Sequence, residues 1–298
     1  MGGAGKPLVV DVKRNALDDG PGIRSVVFFK GCPLRCVWCQ NPESLRADAE
    51  LLRDEAACVG CGACQPACPQ ALARPAAAPQ TGCQACGACV DACPAAARRI
   101  AGEPLDPAAL ADSLLRDAPF YRRSGGGVTL SGGEPALFAE RVGELTARLR
   151  AASVQVLLET CGHFAWGPFA DHLLPQLASV YFDLKISDPA AHQRWTGVGN
   201  AKIHANLRAL SQTPVEVLPR VALIPGLTDG DDNLRALAER VAALGFERMA
   251  LLPYNPTWLA KRRSLGLELP YSHQSWMSAD HIARCEATVA AAGLQPVR

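Results

Sequence analysis

The chain has 298 residues, a net charge of +1 and a hydrophobic fraction of 49%. That length suits one barrel-sized domain or a core carrying a small insert. The balanced charge excludes a global field that would gather nucleic acid or an anionic membrane surface. No apolar run approaches the ~18 residues of a membrane span. The stretch from Met1 to Pro7 lacks the long apolar segment of a secretory signal, so a cytoplasmic protein is expected.

The first strand is expected over Ser25-Val-Val-Phe-Phe-Lys30, an apolar run closed by Gly31. A cysteine-bearing loop follows. Eleven of the 13 cysteines lie between Cys32 and Cys93. Disulfide scaffolds are short and secreted, whereas clustered thiols in a reducing compartment bind metal. Residues from about 54 to 96 are rich in Cys, Pro, Ala and Gly and show neither helical nor strand periodicity. Beyond them the signals alternate. Leu105 to Asp117 reads as a helix opened by Asp106 and Pro107. Gly127–Ser131 reads as a strand, Phe138 to Ala151 as a helix, and Val154–Thr160 and Ser179–Leu184 as strands. Ala201–Leu210 is helical, Val215–Ile224 extended and Leu234–Gly245 helical. Arg248–Pro253 is extended and Ala279–Ala292 helical. Repeated βα units predict a parallel sheet wrapped by helices, with its active site at the carboxyl ends of the strands.

Cys32-x3-Cys36-x2-Cys39 offers three thiolates within eight residues. A [4Fe–4S] cubane has four irons, so three cysteines leave one iron open to a substrate. A zinc knuckle completed by a distant fourth ligand is the competing reading. Ser131-Gly132-Gly133-Glu134-Pro135 ends a strand. Its glycines admit close backbone approach, and its carboxylate could accept charge-assisted bonds from an ammonium group. An ordinary glycine turn is the alternative.

Cys-x3-Cys-x-aromatic-Cys, with Trp38 as the aromatic, resembles the signature of radical S-adenosylmethionine enzymes. The resemblance implies that Cys32, Cys36 and Cys39 hold a catalytic cluster whose open iron chelates the methionyl group. An electron then breaks the sulfonium C–S bond, and the 5′-deoxyadenosyl radical abstracts hydrogen. It also implies that Gly132, Gly133 and Glu134 form the methionine-binding loop. Asp19-Gly20-Pro21-Gly22-Ile23-Arg24 and Gln40-Asn41-Pro42-Glu43-Ser44 narrow the resemblance to the activating enzymes of glycyl-radical enzymes, of which the pyruvate formate-lyase activating enzyme is the best-known type. Asp183-Leu184-Lys185 matches that branch, where the Asp and Lys contact the end groups of S-adenosylmethionine. A plain surface ion pair would be the ordinary alternative. Thr196-Gly197 with Asn200, Ile224-Pro225-Gly226 with Asp229, and Leu252-Pro253-Tyr254 also match, from about residue 10 to 270. Two positions depart: Gln40 and Asn255 stand where the family commonly has His, and neither can supply a cation. Both are expected to line the ribose and adenosyl end.

The cysteine-rich stretch repeats itself as Cys58-x2-Cys61-x2-Cys64-x3-Cys68-Pro69 and Cys83-x2-Cys86-x2-Cys89-x3-Cys93-Pro94. This is the bacterial two-cluster ferredoxin spacing, in which the fourth cysteine serves the other cluster. Cys58, Cys61, Cys64 and Cys93 are expected to bind one [4Fe–4S] cluster, and Cys83, Cys86, Cys89 and Cys68 the second. Such closed clusters either relay electrons or support structure.

The expectation is an α/β fold. A radical S-adenosylmethionine core, a partial (β/α)6 TIM-like barrel, spans residues 1–52 and 97–298, and a 2×[4Fe–4S] ferredoxin-like insert spans 53–96. The expected cofactors are three clusters and S-adenosylmethionine. The expected partners are a glycyl-radical enzyme and reduced flavodoxin or ferredoxin, with no nucleic acid and no membrane. The alternatives are a radical enzyme acting on a small molecule or peptide, and a non-enzymatic electron-transfer protein. Cys161, at a strand end, reads either as a small buried hydrophobe or as a residue facing the site; Cys285 reads as core.

Overall fold

The computed structural model describes residues 7–74 and 82–298. Among these the chain forms strands β1 (Leu8–Ala16), β2 (Arg24–Phe29), β3 (Glu50–Arg53), β4 (Arg98–Ala101), β5 (Glu103–Pro104), β6 (Gly127–Gly132), β7 (Gln155–Thr160), β8 (Ser179–Leu184), β9 (Glu216–Ala222), β10 (Arg248–Leu252) and β11 (Gln295–Val297). Nine of them make one sheet in the order β11-β10-β9-β8-β7-β6-β2-β1-β5. The run from β2 through β11 is parallel, and β1 and β5 add an antiparallel edge. Helices Pro107–Leu115, Ala139–Ala151, Ala201–Leu210, Asp231–Ala243 and Ala279–Ala291 are the main crossovers. Asp106 and Asp188 cap helices by accepting from backbone N–H groups, each followed by a proline whose missing N–H is harmless there.

Side chains of a strand alternate between faces, and that alternation decides where chemistry can sit. One face of the sheet presents Val128, Leu130, Val156, Leu158, Val180, Phe182, Val221 and Leu251 to the helices, all buried. Each such residue contributes about 1.5–3 kcal/mol by leaving water. The other face, one residue out of phase, presents Ser131, Glu159, Asp183 and Arg220 near the carboxyl ends of β6 to β9. Polar groups therefore face the side of the sheet opposite the one that packs the helices.

The cysteine-rich stretch hangs from a separate two-stranded foot, β3 paired antiparallel with β4. Lys30, fully buried, ties this foot to the core: its Nζ donates to the Glu43 carbonyl at 2.7 Å and meets Glu50 at 2.7 Å. The stretch holds two short helices, Cys64–Ala67 and Ala88–Asp91, where the sequence shows no periodicity. Four residues are too few for a helical pattern to declare itself. Residues 75–81 of the expected insert lie outside the described residues.

Candidate active site

Cys32, Cys36 and Cys39 follow β2 on a loop that is pinned from two sides. The Arg35 N–H donates to the Thr196 carbonyl at 2.7 Å and the Val37 N–H to the Trp195 carbonyl at 3.2 Å. Gly197 turns there with φ 84°, and a Cβ on it would touch the Arg35 side chain. Asn200 secures the same corner by donating to the Ile186 and Ser187 carbonyls. The Thr-Gly and Asn pattern thus fixes the cysteine loop against the end of β8. Beneath the loop, Trp38, Leu34 and Cys36 pack with Ile186, Ile224, Tyr254 and Trp258 in a small second core.

All three cysteines line one cavity of about 320 Å³ together with Trp38, Gln40, Gly132, Gly133, Asp183, Lys185, Arg220 and Cys161. A volume of that order suits a small-molecule site. Burial pushes the Cys36 thiol up to about 11 and that of Cys39 to about 12. A hydrogen bond from Cys161 draws Cys32 below its usual range. Among the described residues, no three His, Cys, Asp or Glu side chains converge closely enough to hold one metal ion. A cubane does not require that convergence, because each cysteine bonds its own iron. Three thiols facing a shared cavity beside a cationic Lys185 fit such a cluster.

The two glycines answer to the protein chain itself. A Cβ at Gly133 would lie 2.2 Å from the Gly31 carbonyl oxygen, and one at Gly132, with φ 96°, would lie 2.5 Å from the Phe29 nitrogen. The end of β6 is thus pressed against the start of the cysteine loop, and only glycine permits it. Glu134 does not line the cavity. It is fully buried, and its carboxylate accepts from Thr160 Oγ1 at 2.7 Å, the Cys161 N–H at 2.8 Å and the Ala136 N–H at 3.1 Å. Burial pushes its pKa up, against those bonds. Here the carboxylate clamps β6 to β7.

The floor of the cavity is an ion network. Arg220 donates from Nε to Asp183 at 2.9 Å and from Nη1 to Glu159 at 2.6 Å. Asp183 and Arg220 are register partners on β8 and β9, so the pair is built into the sheet. Ser131 donates to Glu159 at 2.6 Å, and Lys185 stands 3.7 Å from Asp183. Burial disfavours the Lys185 charge, yet Asp183 and the neighbouring thiols hold its pKa above the ordinary value. Its side chain is 12% exposed, so this is no surface ion pair. Sequence reasoning missed Arg220 and Glu159. A charged residue inside an otherwise apolar strand was the available signal. Cys161, read either way from the sequence, is in the wall, its thiol hydrogen-bonded to Cys32 and its N–H donating to Glu134 at 2.8 Å.

Gln40 and Asn255, the two departures, meet. Gln40 Nε2 donates to the Asn255 carbonyl at 3.0 Å, and Lys261 donates to the Gln40 carbonyl at 3.1 Å and pairs with Glu43 at 3.0 Å. A neighbouring cavity of about 460 Å³ shares Gln40, Asn41, Ser131 and Glu159 with the first and is also lined by Asn255. In the cysteine-rich stretch, Cys68, Cys83, Cys86 and Cys89 line a single cavity with Leu51, Leu72 and Ile100. Cys58, Cys61, Cys64 and Cys93 are not among its lining residues. Cys285 is in the core, as expected.

The family described as a 4Fe-4S single cluster domain matches residues 18–204. The chain is 36% identical over 300 residues to the choline trimethylamine-lyase activating enzyme of Oleidesulfovibrio alaskensis, covering 95% of each chain. It is 37% identical over 278 residues to the indoleacetate decarboxylase activating enzyme of Tractidigestivibacter scatoligenes, covering 88% of this chain and 87% of that one. Its fold resembles a radical SAM methyltransferase from Sphaerobacter thermophilus, with TM-score 0.50 and 19% identity over 72% of this chain and 61% of that one.

Proposed function

The chain belongs to the activating enzymes of glycyl-radical enzymes, within the radical S-adenosylmethionine enzymes, and from that premise we propose how its residues perform the reaction. The enzyme uses a [4Fe–4S] cluster and S-adenosylmethionine to activate a glycyl-radical partner. The observation that carries the assignment of residues is the convergence of Cys32, Cys36 and Cys39 on one cavity with Asp183 and Lys185.

Cys32, Cys36 and Cys39 would hold the catalytic cluster, which would supply an open iron for the methionyl group and an electron for cleavage of the sulfonium bond. The backbone around Gly132 and Gly133 forms the wall for the methionyl end. Glu134 acts by holding that wall against β7, as its bonds to Thr160 and Cys161 support. Asp183 and Lys185 receive the polar end groups of S-adenosylmethionine, and Arg220 keeps Asp183 oriented. Gln40 and Asn255 border the adenosyl end, with Trp38 packing the loop beneath it. The 5′-carbon released from S-adenosylmethionine takes the hydrogen atom of a partner glycine Cα, giving methionine and 5′-deoxyadenosine. The remaining glycyl radical is delocalised over the two flanking peptide groups.

We read the parallel sheet as the partial (β/α)6 barrel of residues 1–52 and 97–298, and residues 53–96 as a ferredoxin-like insert carrying two further [4Fe–4S] clusters. Their expected role is to relay electrons from reduced flavodoxin or ferredoxin in the cytoplasm. The cavity that gathers Cys68 with Cys83, Cys86 and Cys89 supports the crossed ligand set. The choline trimethylamine-lyase and indoleacetate decarboxylase named for the relatives indicate the class of partner to try first. The test is anaerobic reconstitution followed by reduction with S-adenosylmethionine. About 12 irons per chain and formation of 5′-deoxyadenosine are expected. About 8 irons with no 5′-deoxyadenosine after full loading would leave only an electron-transfer protein.

A further inference from the structure

We propose that the basic groove between the foot of the insert and the helix Trp258–Ser264 is the docking site of an acidic one-electron carrier protein. The proposal rests on the reading of the insert as an electron relay. The groove encloses about 510 Å³ and is lined by Arg53, Arg98, Arg99, Lys261 and Arg263 against only Asp54 and Glu55. The chain as a whole carries a net charge of only +1, so this excess of cations is local.

The cations divide by what they already touch. Lys261 is committed to Glu43 at 3.0 Å, and Arg53 pairs with Glu55 through Nη2. Arg99 and Arg263 are exposed, and their side chains make no hydrogen bond or ion pair among the described residues. Arg53 is only 3% exposed, yet its Nε has no partner. That nitrogen is sealed from solvent, so Arg53 contributes positive field rather than a contact, and carboxylates from outside would meet the two free guanidinium groups at the rim.

What makes the occupant an electron carrier is Arg98. It lines both this groove and the cavity that holds Cys68, Cys83, Cys86 and Cys89. Its Nη1 donates to Cys89 Sγ at 3.8 Å, and Nη2 donates to the Arg74 carbonyl at 2.5 Å. The groove floor is therefore one side chain away from a cysteine of the insert. A protein seated there would bring its own redox centre next to that cluster. Opposite charges also steer such an encounter and make it salt-dependent.

The test uses the reconstituted full-length enzyme and R263E, which alters an exposed side chain of the groove that lines neither cavity of the active site. Reduced flavodoxin is the probe, and dithionite is the small-molecule control. Cluster bleaching is followed by stopped flow, and binding of oxidised flavodoxin by calorimetry. The wild-type second-order rate should fall steeply with salt. In R263E both the low-salt rate and the affinity should fall by about fivefold or more, and the salt dependence should flatten. Dithionite-driven reduction and 5′-deoxyadenosine formation should be unchanged, which also shows that the variant is folded. Unchanged flavodoxin rate and affinity would overturn the proposal. So would a variant that keeps flavodoxin reduction but loses glycyl-radical formation after dithionite reduction, because the groove would then serve the glycyl-radical partner. An iron count near 4 in the wild type would locate the failure in the relay reading itself.

Discussion

The two cysteine regions are supported in opposite ways. The loop of Cys32, Cys36 and Cys39 is seated on a preformed frame: strand ends, the corner at Thr196 and Gly197, and the packed side chains of Ile224, Tyr254 and Trp258. Among the described residues the cysteine-rich stretch has only Leu51, Cys64, Ala73 and Cys89 as its buried cluster, and two of those four are cysteines. So small an apolar core offsets little conformational entropy, and on the proposed reading metal binding would supply part of the folding free energy. The parallel sheet would then position its cluster, whereas the proposed clusters of the insert would hold the insert together.

The largest effect that would break this comparison is removal of a loop ligand. Cys36→Ala should abolish 5′-deoxyadenosine formation while about 8 irons remain. Loss of all iron would mean that the regions are not independent. Metal removal separates them in the other direction. After anaerobic chelation, limited proteolysis should cut the insert and spare the barrel, and equal susceptibility would refute the difference. Next comes Arg220→Met, which leaves the half-buried Glu159 and Asp183 without their shared cation. A loss of about 1–2 kcal/mol is expected, read as a lower melting temperature with weakened S-adenosylmethionine binding. A smaller effect is expected of Arg98→Leu. Removing an N–H donor from Cys89 should lower the midpoint potential of one insert cluster by up to about 59 mV, a tenfold change for a one-electron couple. Electron paramagnetic resonance titration would show it, and the loop cluster should not move. The smallest belongs to Gln40→His with Asn255→His, which should change the KM for S-adenosylmethionine by less than about tenfold and leave kcat similar.

Much of the architecture is visible in the chain because parallel strands and their crossovers have strong patterns. Ser179–Leu184 and Ala201–Leu210 fall where periodicity puts them, and Ala139–Ala151 differs by a residue from its expected start. β1 was not legible, since a strand that β5 covers only at Leu8 and Val9, with half-exposed residues on both faces, lacks clean alternation. The foot made by β3 and β4 was missed for the same reason as the short helices: four residues carry no period. In the site, the cysteines announce themselves by spacing, and Asp183 and Lys185 by resemblance to the activating enzymes. Arg220, Glu159 and Cys161 do not, because their meaning comes from register between strands distant in sequence. Glu134 shows the converse: its motif suggests a ligand contact, while the structure directs its carboxylate to Thr160 and Cys161.

The central claim is that this chain installs a radical on a protein glycine. The most direct measurement is electron paramagnetic resonance of a candidate glycyl-radical enzyme after anaerobic incubation with the reduced, reconstituted enzyme and S-adenosylmethionine. The account predicts a glycine-centred doublet on the partner, formed in step with 5′-deoxyadenosine and absent with Cys36→Ala. Turnover to 5′-deoxyadenosine with no radical on any candidate partner, together with a consumed small molecule or peptide, would contradict it.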